Sequence, residues 1–197
     1  MNSAYAIVQP RGELLIAYLA AAAVGTHLLE TALPGMGPWF KPGLANTFTL
    51  VAYFQLGWRA AAGVTLIRVL AGSIILGTFL SPTFLMSVSG AAGALLTLRL
   101  LSVVQKPGTP DSRHEITRHA VVRGLGLGPV GVSVLTSLAH IVCQVLAAWL
   151  FILGHAGVFL LLPWFLFGSW LTGIVNGLLA FLILERLAGS SLLGVQP

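Results

Sequence analysis

Long apolar stretches separated by short breaks dominate the pattern of hydrophobic and polar positions along this chain. A helix that crosses a bilayer needs about 20 apolar residues, and several of these stretches reach or approach that length. The pattern predicts transmembrane spans over residues 13–33, 44–58, 60–80, 82–104, 129–151 and 164–184. We therefore predict an all-α integral membrane protein in which residues 1–197 form a single six-helix transmembrane domain.

The breaks between the predicted spans contain residues that start or end helices. Residues 34–43 are rich in proline and glycine, which predicts a loop. Ser81 and Pro82 are typical of an N-cap and a first helical residue, and they predict the start of the fourth span. Residues 105–127 form the one polar stretch and are predicted to be a cytoplasmic loop, whereas residues 154–162 predict an apolar connection or a re-entrant segment.

The composition supports the membrane assignment. Of the 197 residues, 57% are hydrophobic and 8% are charged, and the mean hydropathy is +0.95. A soluble domain carries about 25% charged residues, so this chain could not cover a water-exposed surface. The apolar content also excludes intrinsic disorder. The single cysteine, Cys143, excludes a disulfide framework and a cysteine-based metal site.

The lysines and arginines indicate how the chain crosses the membrane. If both termini are cytoplasmic, the cytoplasmic side carries Arg11, Arg59, Lys106, Arg113, Arg118, Arg123 and Arg186. The outer connections then carry only Lys41, which is the asymmetry that the positive-inside rule expects. This rule and the attraction to anionic lipids account for the net charge of +5, which therefore does not indicate a nucleic-acid partner.

Several polar side chains fall inside the predicted spans, where an ionisable group costs at least about 2.5–3.5 kcal/mol on insertion scales. Arg68 lies near mid-depth in the third span, and Glu30 lies near the outer end of the first. His140 lies in the fifth span with Gln144 one turn further outward, and Asn46 opens the second span. These five residues predict a polar ligand cavity in the outer half of the bundle.

A structural interpretation competes with this one. In the cavity interpretation, Arg68 holds an anionic group of the ligand and the other four side chains add hydrogen bonds. In the structural interpretation, Arg68 pairs with Glu30 or with carbonyl groups and only fixes helix packing. His27 and Asn176 are interpreted mainly as contacts between helices. No cofactor is predicted, although His27 and His140 leave a b-type haem as an alternative.

Small residues repeat every four positions along the first span, at Ala17, Ala21 and Gly25. This spacing allows a second helix to approach closely. The second helix could belong to this bundle, or it could belong to a separate membrane subunit that docks on the first span. The spacing alone leaves both alternatives open.

The sequence does not favour catalysis by this chain. It contains no Walker A motif, and Asp111 is its one aspartate. An enzyme that acts on a magnesium diphosphate uses several carboxylates to hold its metal ions. We also find no nucleophile and base at a credible spacing. The chain is therefore predicted not to be an enzyme by itself and to have no metal site.

Specific stretches connect the chain to a known family. They are Lys41-Pro-Gly-Leu-Ala-Asn46, Arg68-Val-Leu-Ala-Gly-Ser73, Gly77-Thr-Phe-Leu-Ser-Pro82, Phe84, Gly131-Val-Ser133, Ala139-His140, Gln144 and Leu162-Pro163. On these residues the chain resembles a bacterial membrane family called the Gx transporters, which is also labelled heptaprenyl diphosphate synthase component I. The stretches follow the order of the family, but Ile141 stands where the family usually has asparagine.

The resemblance implies a fold and a function, because this family is similar to the S components of energy-coupling-factor vitamin transporters. S components have six helices and cytoplasmic termini, and they bind a small vitamin near the outer face. On this resemblance, residues 35–43 form a lid in which Trp39 and Lys41 contact the ligand. Ala17 and Ala21 then dock an energising membrane subunit.

The resemblance thus implies a substrate-binding subunit for a small, vitamin-like or cofactor-like solute, working with partner subunits in the bacterial cytoplasmic membrane. A different class of function remains open as the alternative. In that alternative, the chain is a non-catalytic membrane subunit of a complex related to redox, quinone or prenyl-diphosphate metabolism.

Overall fold

The structure, a computed structural model, describes residues 9–32, 43–104 and 126–189, and these residues form helices and short connections without a β-sheet. The six α-helices of the described ranges are α1 (Gln9–Ala32), α2 (Ala45–Leu56), α3 (Trp58–Ile75), α4 (Pro82–Val104), α5 (Pro129–Ala147) and α6 (Leu162–Gly189). A π-helical segment, Ala148–Leu153, continues α5, and a short 3₁₀ helix, Ala156–Leu161, leads into α6. The predicted all-helical fold is confirmed.

Five helical segments are long and apolar enough to cross a membrane: Gly12–Ala32, Trp58–Ile75, Pro82–Val104, Pro129–Leu153 and Ala156–Leu187. They make the chain a multi-pass membrane protein. The sixth helix, α2, has 12 residues. At about 1.5 Å per residue it is about 18 Å long, which is shorter than a bilayer core of about 30 Å.

A single glycine ends α2 and begins α3. Gly57 has φ 89° and ψ −179°, a backbone conformation that side chains disfavour. Its N–H still bonds the carbonyl of Tyr53, so the carboxyl end of α2 is capped. Because one residue connects the two helices, they fold back on each other as a tight hairpin.

The third predicted span is shorter in the structure than in the sequence-based prediction, which extended it to residue 80. Helix α3 ends at Ile75 because Gly77, with φ 66°, adopts the left-handed conformation that terminates helices. The N–H of Thr78 then bonds the Ser73 carbonyl at 2.8 Å, as in a Schellman motif. Helix α4 begins at Pro82 as predicted, and the Ser81 hydroxyl accepts the N–H of Phe84 at 3.3 Å.

Contacts between consecutive helices show that they alternate in direction. Asn46 and Thr49 of α2 bond Arg68 and Thr65 of α3, at 2.6 Å and 3.1 Å, so the two helices are antiparallel. Gly90 of α4 contacts His140 of α5. Met86, one turn before Gly90, bonds Gln144, one turn after His140, so α4 and α5 are also antiparallel. The start of α1 and the end of α6 therefore lie at the same end of the bundle, which we call the termini end.

An apolar core fills the half of the bundle nearest the termini end. It consists of buried apolar side chains from all six helices, including Leu19, Leu50, Val51, Val64, Leu98, Val132, Ala180 and Leu184. At the surface of this half, the Arg99 guanidinium lies 4.8 Å from the ring centroid of Trp58. The opposite half, which we call the cavity end, is more polar and holds the candidate site.

Glycines allow α4, α5 and α6 to pack with their backbones in contact. A Cβ atom built on Gly177 of α6 would lie 2.5 Å from the Cα of Val130, and one on Gly93 of α4 would lie 2.7 Å from the Ala139 carbonyl oxygen. These neighbours are backbone atoms that cannot rotate away. Small residues at helix contacts are the usual means of close association in membranes.

We predict that Gly177→Ala destabilises the protein by about 1–3 kcal/mol, because the added methyl group would force α5 and α6 apart. Gly63→Ala is the matched control, since a Cβ atom at Gly63 would meet no atom within 4 Å. Thermal unfolding in detergent, followed by circular dichroism or by reaction of Cys143 with a thiol dye, measures both variants. Equal midpoints for the two variants would contradict the packing described above.

Candidate functional site

A cavity of about 410 Å³ opens at the cavity end of the bundle, and all six helices contribute to its wall. This volume lies within the range of about 300–1,000 Å³ that is typical of small-molecule sites. Its polar lining residues are His27, Glu30, Thr31, Asn46, Arg68, Ser73, Thr78, Thr83, Ser87, Ser137, His140, Gln144, Ser169, Thr172 and Asn176. The rest of the wall is backbone and apolar side chains, among them Met86 and Phe165.

The structure brings together every predicted ligand-binding residue that it describes. Glu30, Asn46, Arg68, His140 and Gln144 come from four different helices, and all five line the same cavity. The other two predicted ligand residues, at positions 39 and 41, lie outside the described residues, and so does most of the predicted lid. The assignment of these residues to a ligand remains a prediction.

Arg68 is the central cation of the wall. Its side chain is 7% exposed, and Nη1 donates a 2.6 Å hydrogen bond to Oδ1 of Asn46. The antiparallel hairpin produces this contact, because Asn46 and Arg68 are each 11 positions from Gly57. Nε of Arg68 is buried and has no hydrogen-bond partner among the described residues. Arg68 therefore lies at the cavity wall and does not reach out of the bundle.

Glu30 connects the end of α1 to the start of α2. Its Oε1 atom accepts the backbone N–H of Leu44, the residue that precedes α2. Its carboxylate also interacts electrostatically with the guanidinium of Arg68. Glu30 thus has a structural contact and, at the same time, supplies a negative charge beside Arg68 at the cavity wall.

His140 and Gln144 fix α5 against α4 at the cavity. The imidazole of His140 rests on Gly90, where a Cβ atom would lie 2.5 Å from Nε2 and 2.6 Å from Cε1. Nδ1 of His140 is buried without a partner in the described part of the chain. One turn further along, Nε2 of Gln144 donates a 3.2 Å hydrogen bond to the carbonyl of Met86.

The two residues interpreted as contacts between helices, His27 and Asn176, also line the cavity. The ring of His27 packs on Gly72, where a Cβ atom would lie 2.8 Å from Cδ2. Asn176 is 1% exposed, and its Nδ2 atom donates a 3.1 Å hydrogen bond to the carbonyl of Gly43. Asn176 therefore bridges α6 to the start of α2, as a contact between helices should.

The described cavity wall contains two histidines and one carboxylate, which are residue types that can ligate a metal or haem iron. Within residues 9–32, 43–104 and 126–189, no group of three or more histidine, cysteine, aspartate or glutamate side chains could hold a metal ion. His27 and His140 each lie with the ring against a glycine of another helix. The absence of a cofactor stays a prediction, with a b-type haem at these two residues as its alternative.

Sequence reasoning missed the ring of hydroxyl groups that covers much of the wall. Ser169 and Thr172 precede Asn176 by seven and four positions, so all three occupy one face of α6. Ser169 Oγ also reaches across to α5 and donates a 2.7 Å hydrogen bond to the carbonyl of Ser137. The spacing of these residues on α6 was the available signal, but serine and threonine are common in membrane helices.

The arrangement is suited to holding a polar molecule. Arg68 supplies a charged donor, and amides and hydroxyls from all sides supply weaker donors and acceptors. Hydrogen bonds to a charged group contribute about 1.5–3 kcal/mol each, and they are stronger where water is excluded. The wall can therefore fix the orientation of a small solute.

The stripe of small residues on α1 is largely available to a partner. Ala17 and Ala21 are exposed, and Gly25 is half-buried with space for a Cβ atom. The face that packs into the bundle is a different one, formed by Leu19, Ala20 and Ala23. Packing against the other described helices therefore does not account for the exposed alanines.

Comparison with known proteins places the chain in a family. The family described as heptaprenyl diphosphate synthase component I matches residues 19–183, a range that contains every cavity residue named above. No curated protein and no solved structure matches the chain. The family description names a component and not a catalytic subunit, which agrees with the prediction that this chain is not itself an enzyme. Because the match covers most of the sequence and confirms the resemblance, the chain belongs to the heptaprenyl diphosphate synthase component I family.

Proposed function

We propose that this protein is the solute-binding membrane subunit of a transport system, similar to the S component of an energy-coupling-factor transporter. The observation that carries the proposal is the cavity of about 410 Å³, whose wall contains a buried arginine within a bundle of membrane helices. The cavity has the size of a vitamin site, and its polar groups converge from all six helices.

A purely structural role accounts for this arrangement less well. A buried charge that only fixes packing is expected to have all its hydrogen-bonding atoms paired, because each unpaired atom costs about 1–3 kcal/mol. Nε of Arg68 and Nδ1 of His140 are unpaired among the described residues, and both side chains line the cavity. A bound solute that shifts these side chains slightly would pair them.

The charges support an orientation in which the cavity opens outward. At the termini end, Arg59 and Arg99 lie near the start of α3 and the end of α4, and Arg186 lies near the end of α6. At the cavity end, the described cation is Arg68, which is buried and faces Glu30. By the positive-inside rule, the termini end is cytoplasmic and the cavity receives solute from outside.

A partner subunit completes the proposal. The description of the family as a component implies that such proteins work in a complex. The exposed alanines of α1 provide a surface where another membrane helix can approach closely. With a short α2 and an apolar core below the cavity, this chain alone shows no open passage through the described part of the bundle.

The family description also supports a second candidate, a membrane subunit of a prenyl-diphosphate synthase complex. Glu30 is the one carboxylate among the described cavity residues, whereas diphosphate chemistry with magnesium needs several. In that complex, a partner would supply the metal-binding carboxylates. Synthase activity that depends on this chain, without any solute bound in the cavity, would favour this second candidate.

We predict that a small molecule co-purifies with the protein and that Arg68→Gln removes it. The glutamine keeps a donor for Asn46 but loses the cation, so the affinity should fall by at least about tenfold. Mass spectrometry of the detergent-purified protein measures the bound molecule. Arg59→Gln is the matched control, because Arg59 is an exposed arginine on the same helix near the termini end. Equal occupancy in the two variants would contradict a role of Arg68 in binding.

The orientation has its own test in intact cells. In a Cys143→Ala background, Thr31→Cys places a thiol at the cavity end and Glu185→Cys places one at the termini end, both at exposed positions. A membrane-impermeant maleimide should label the first variant in intact cells and the second only after lysis. The reverse pattern would show that the cavity faces the cytoplasm.

For the partner surface, we predict that Ala17→Trp and Ala21→Trp abolish uptake of the co-purified solute but leave its binding unchanged. The two side chains are exposed, so a larger residue fits the isolated bundle but prevents close helix contact. Ala92→Trp on α4 is the control, since Ala92 is also exposed. Uptake that continues in the Ala17 and Ala21 variants would exclude docking through this stripe.

A further inference from the structure

We infer that the cavity selects a solute without net charge, namely a ring compound whose polar groups both donate and accept hydrogen bonds, such as a carboxamide or a ring lactam. This inference rests on the proposed function and narrows it. It also revises the sequence-based interpretation in which Arg68 holds an anionic group of the ligand. Three features of the wall support it: the balance of charges, the hydroxyl oxygens and the apolar side chains.

The described wall carries one positive and one negative side chain. Among the cavity residues of the described ranges, Arg68 is the one arginine or lysine and Glu30 is the one carboxylate. The two interact electrostatically, and each is also held by the protein, through Asn46 for Arg68 and through the N–H of Leu44 for Glu30. The positive charge of Arg68 is thus already compensated before any solute enters.

Charge compensation disfavours an ionic solute. An anion that enters this wall gains attraction from Arg68 but meets repulsion from the neighbouring Glu30. The anion also loses its hydration. Attraction to the protein offsets that free-energy cost only if the site holds an opposite charge that is not already compensated. A neutral polar group pays much less for leaving water, because ordinary hydrogen bonds replace those it loses. The balance therefore favours solutes of zero net charge.

The hydroxyl groups of the wall independently favour a solute that donates hydrogen bonds. Ser73 Oγ donates to the carbonyl of Leu70 at 2.8 Å, Ser169 Oγ to that of Ser137 at 2.7 Å, and Thr172 Oγ1 to that of Ser169 at 3.1 Å. Each of these three hydroxyls has used its single proton, and its oxygen remains an acceptor. Carboxylates and phosphates only accept, whereas amide N–H and hydroxyl groups donate, so the wall matches the latter.

Apolar side chains complete the match to a ring compound. Phe165 and Trp164 stand at the start of α6, and Met86 and Leu76 contribute from α4 and from the connection after α3. Aromatic rings and a methionine sulfur pack well against the face of a flat ring. Arg68 donates to an acceptor on such a ring, and the hydroxyl oxygens accept from its N–H or O–H groups.

The test compares acidic and neutral compounds that share one ring system. The pairs are nicotinamide and nicotinate, pyridoxine and pyridoxine 5′-phosphate, and riboflavin and riboflavin 5′-phosphate. Their binding to the full chain in lipid nanodiscs is measured by calorimetry at neutral pH, alongside the net charge of any co-purified molecule determined by mass spectrometry. We expect the co-purified molecule to be neutral and the neutral member of a pair to bind more tightly than the acidic member.

Glu30→Gln provides the decisive variant. Its side-chain oxygen can still accept the N–H of Leu44, but the wall then carries a net positive charge. Affinity for the acidic member of a pair should rise by about tenfold or more, while affinity for the neutral member changes by less than about threefold. Glu13→Gln, at an exposed carboxylate near the termini end, should leave both affinities unchanged.

The outcomes separate this inference from the function on which it rests. An anionic co-purified molecule, or tighter binding of the acidic members to the unmodified protein, overturns the neutral-solute inference but leaves solute binding intact. The same holds if Glu30→Gln does not shift the preference. If no molecule co-purifies and neither the wild type nor Glu30→Gln binds any probe, the proposed function itself fails.

Discussion

A guanidinium group at the depth of the lipid chains has to be solvated by the protein, and much of this bundle is arranged around that requirement. Arg68 obtains a short hydrogen bond from Asn46 and a compensating charge from Glu30. For Asn46 to reach it, α2 has to start at the cavity end and run antiparallel to α3. For Glu30 to reach it, α1 has to end at the same level. The first three helices are thus held in register by one buried cation.

The helical fold could be predicted from the sequence because a bilayer permits few other structures for an apolar segment. Backbone groups in hydrocarbon have to bond within their own segment, so a long apolar run is a helix almost by necessity. The start of α4 was equally visible, since Ser81-Pro82 combines a capping hydroxyl with a residue that suits the first turn. The end of α3 was not visible. The chain stays apolar through Phe79 and Leu80, and the left-handed turn at Gly77 depends on geometry that hydropathy does not register.

Part of the candidate site could also be predicted from the sequence, for a related reason. Charged and amide side chains are costly in lipid, so Glu30, Arg68 and His140 were conspicuous in an apolar sequence. Hydroxyl groups can satisfy themselves on their own helix, as Thr136 does on the carbonyl of Val132, and so they carry little signal about a cavity. Gly72 and Gly90 carry even less sequence signal about a cavity. Their role as platforms for imidazole rings exists only once two helices have been placed side by side.

The one-residue joint at Gly57 makes α2 and α3 the two arms of a hairpin, with 12 and 18 residues. Asn46 lies near the far end of α2 and Arg68 lies within α3, and each is 11 residues or about 16 Å from the joint. Opening the angle between the arms by about 10° would move these two residues apart by about 3 Å at that distance from the joint. A hydrogen bond of 2.6 Å would not survive such a movement. The binding that we propose beside Arg68 would therefore depend on the backbone angle at a single glycine at the opposite end of the bundle.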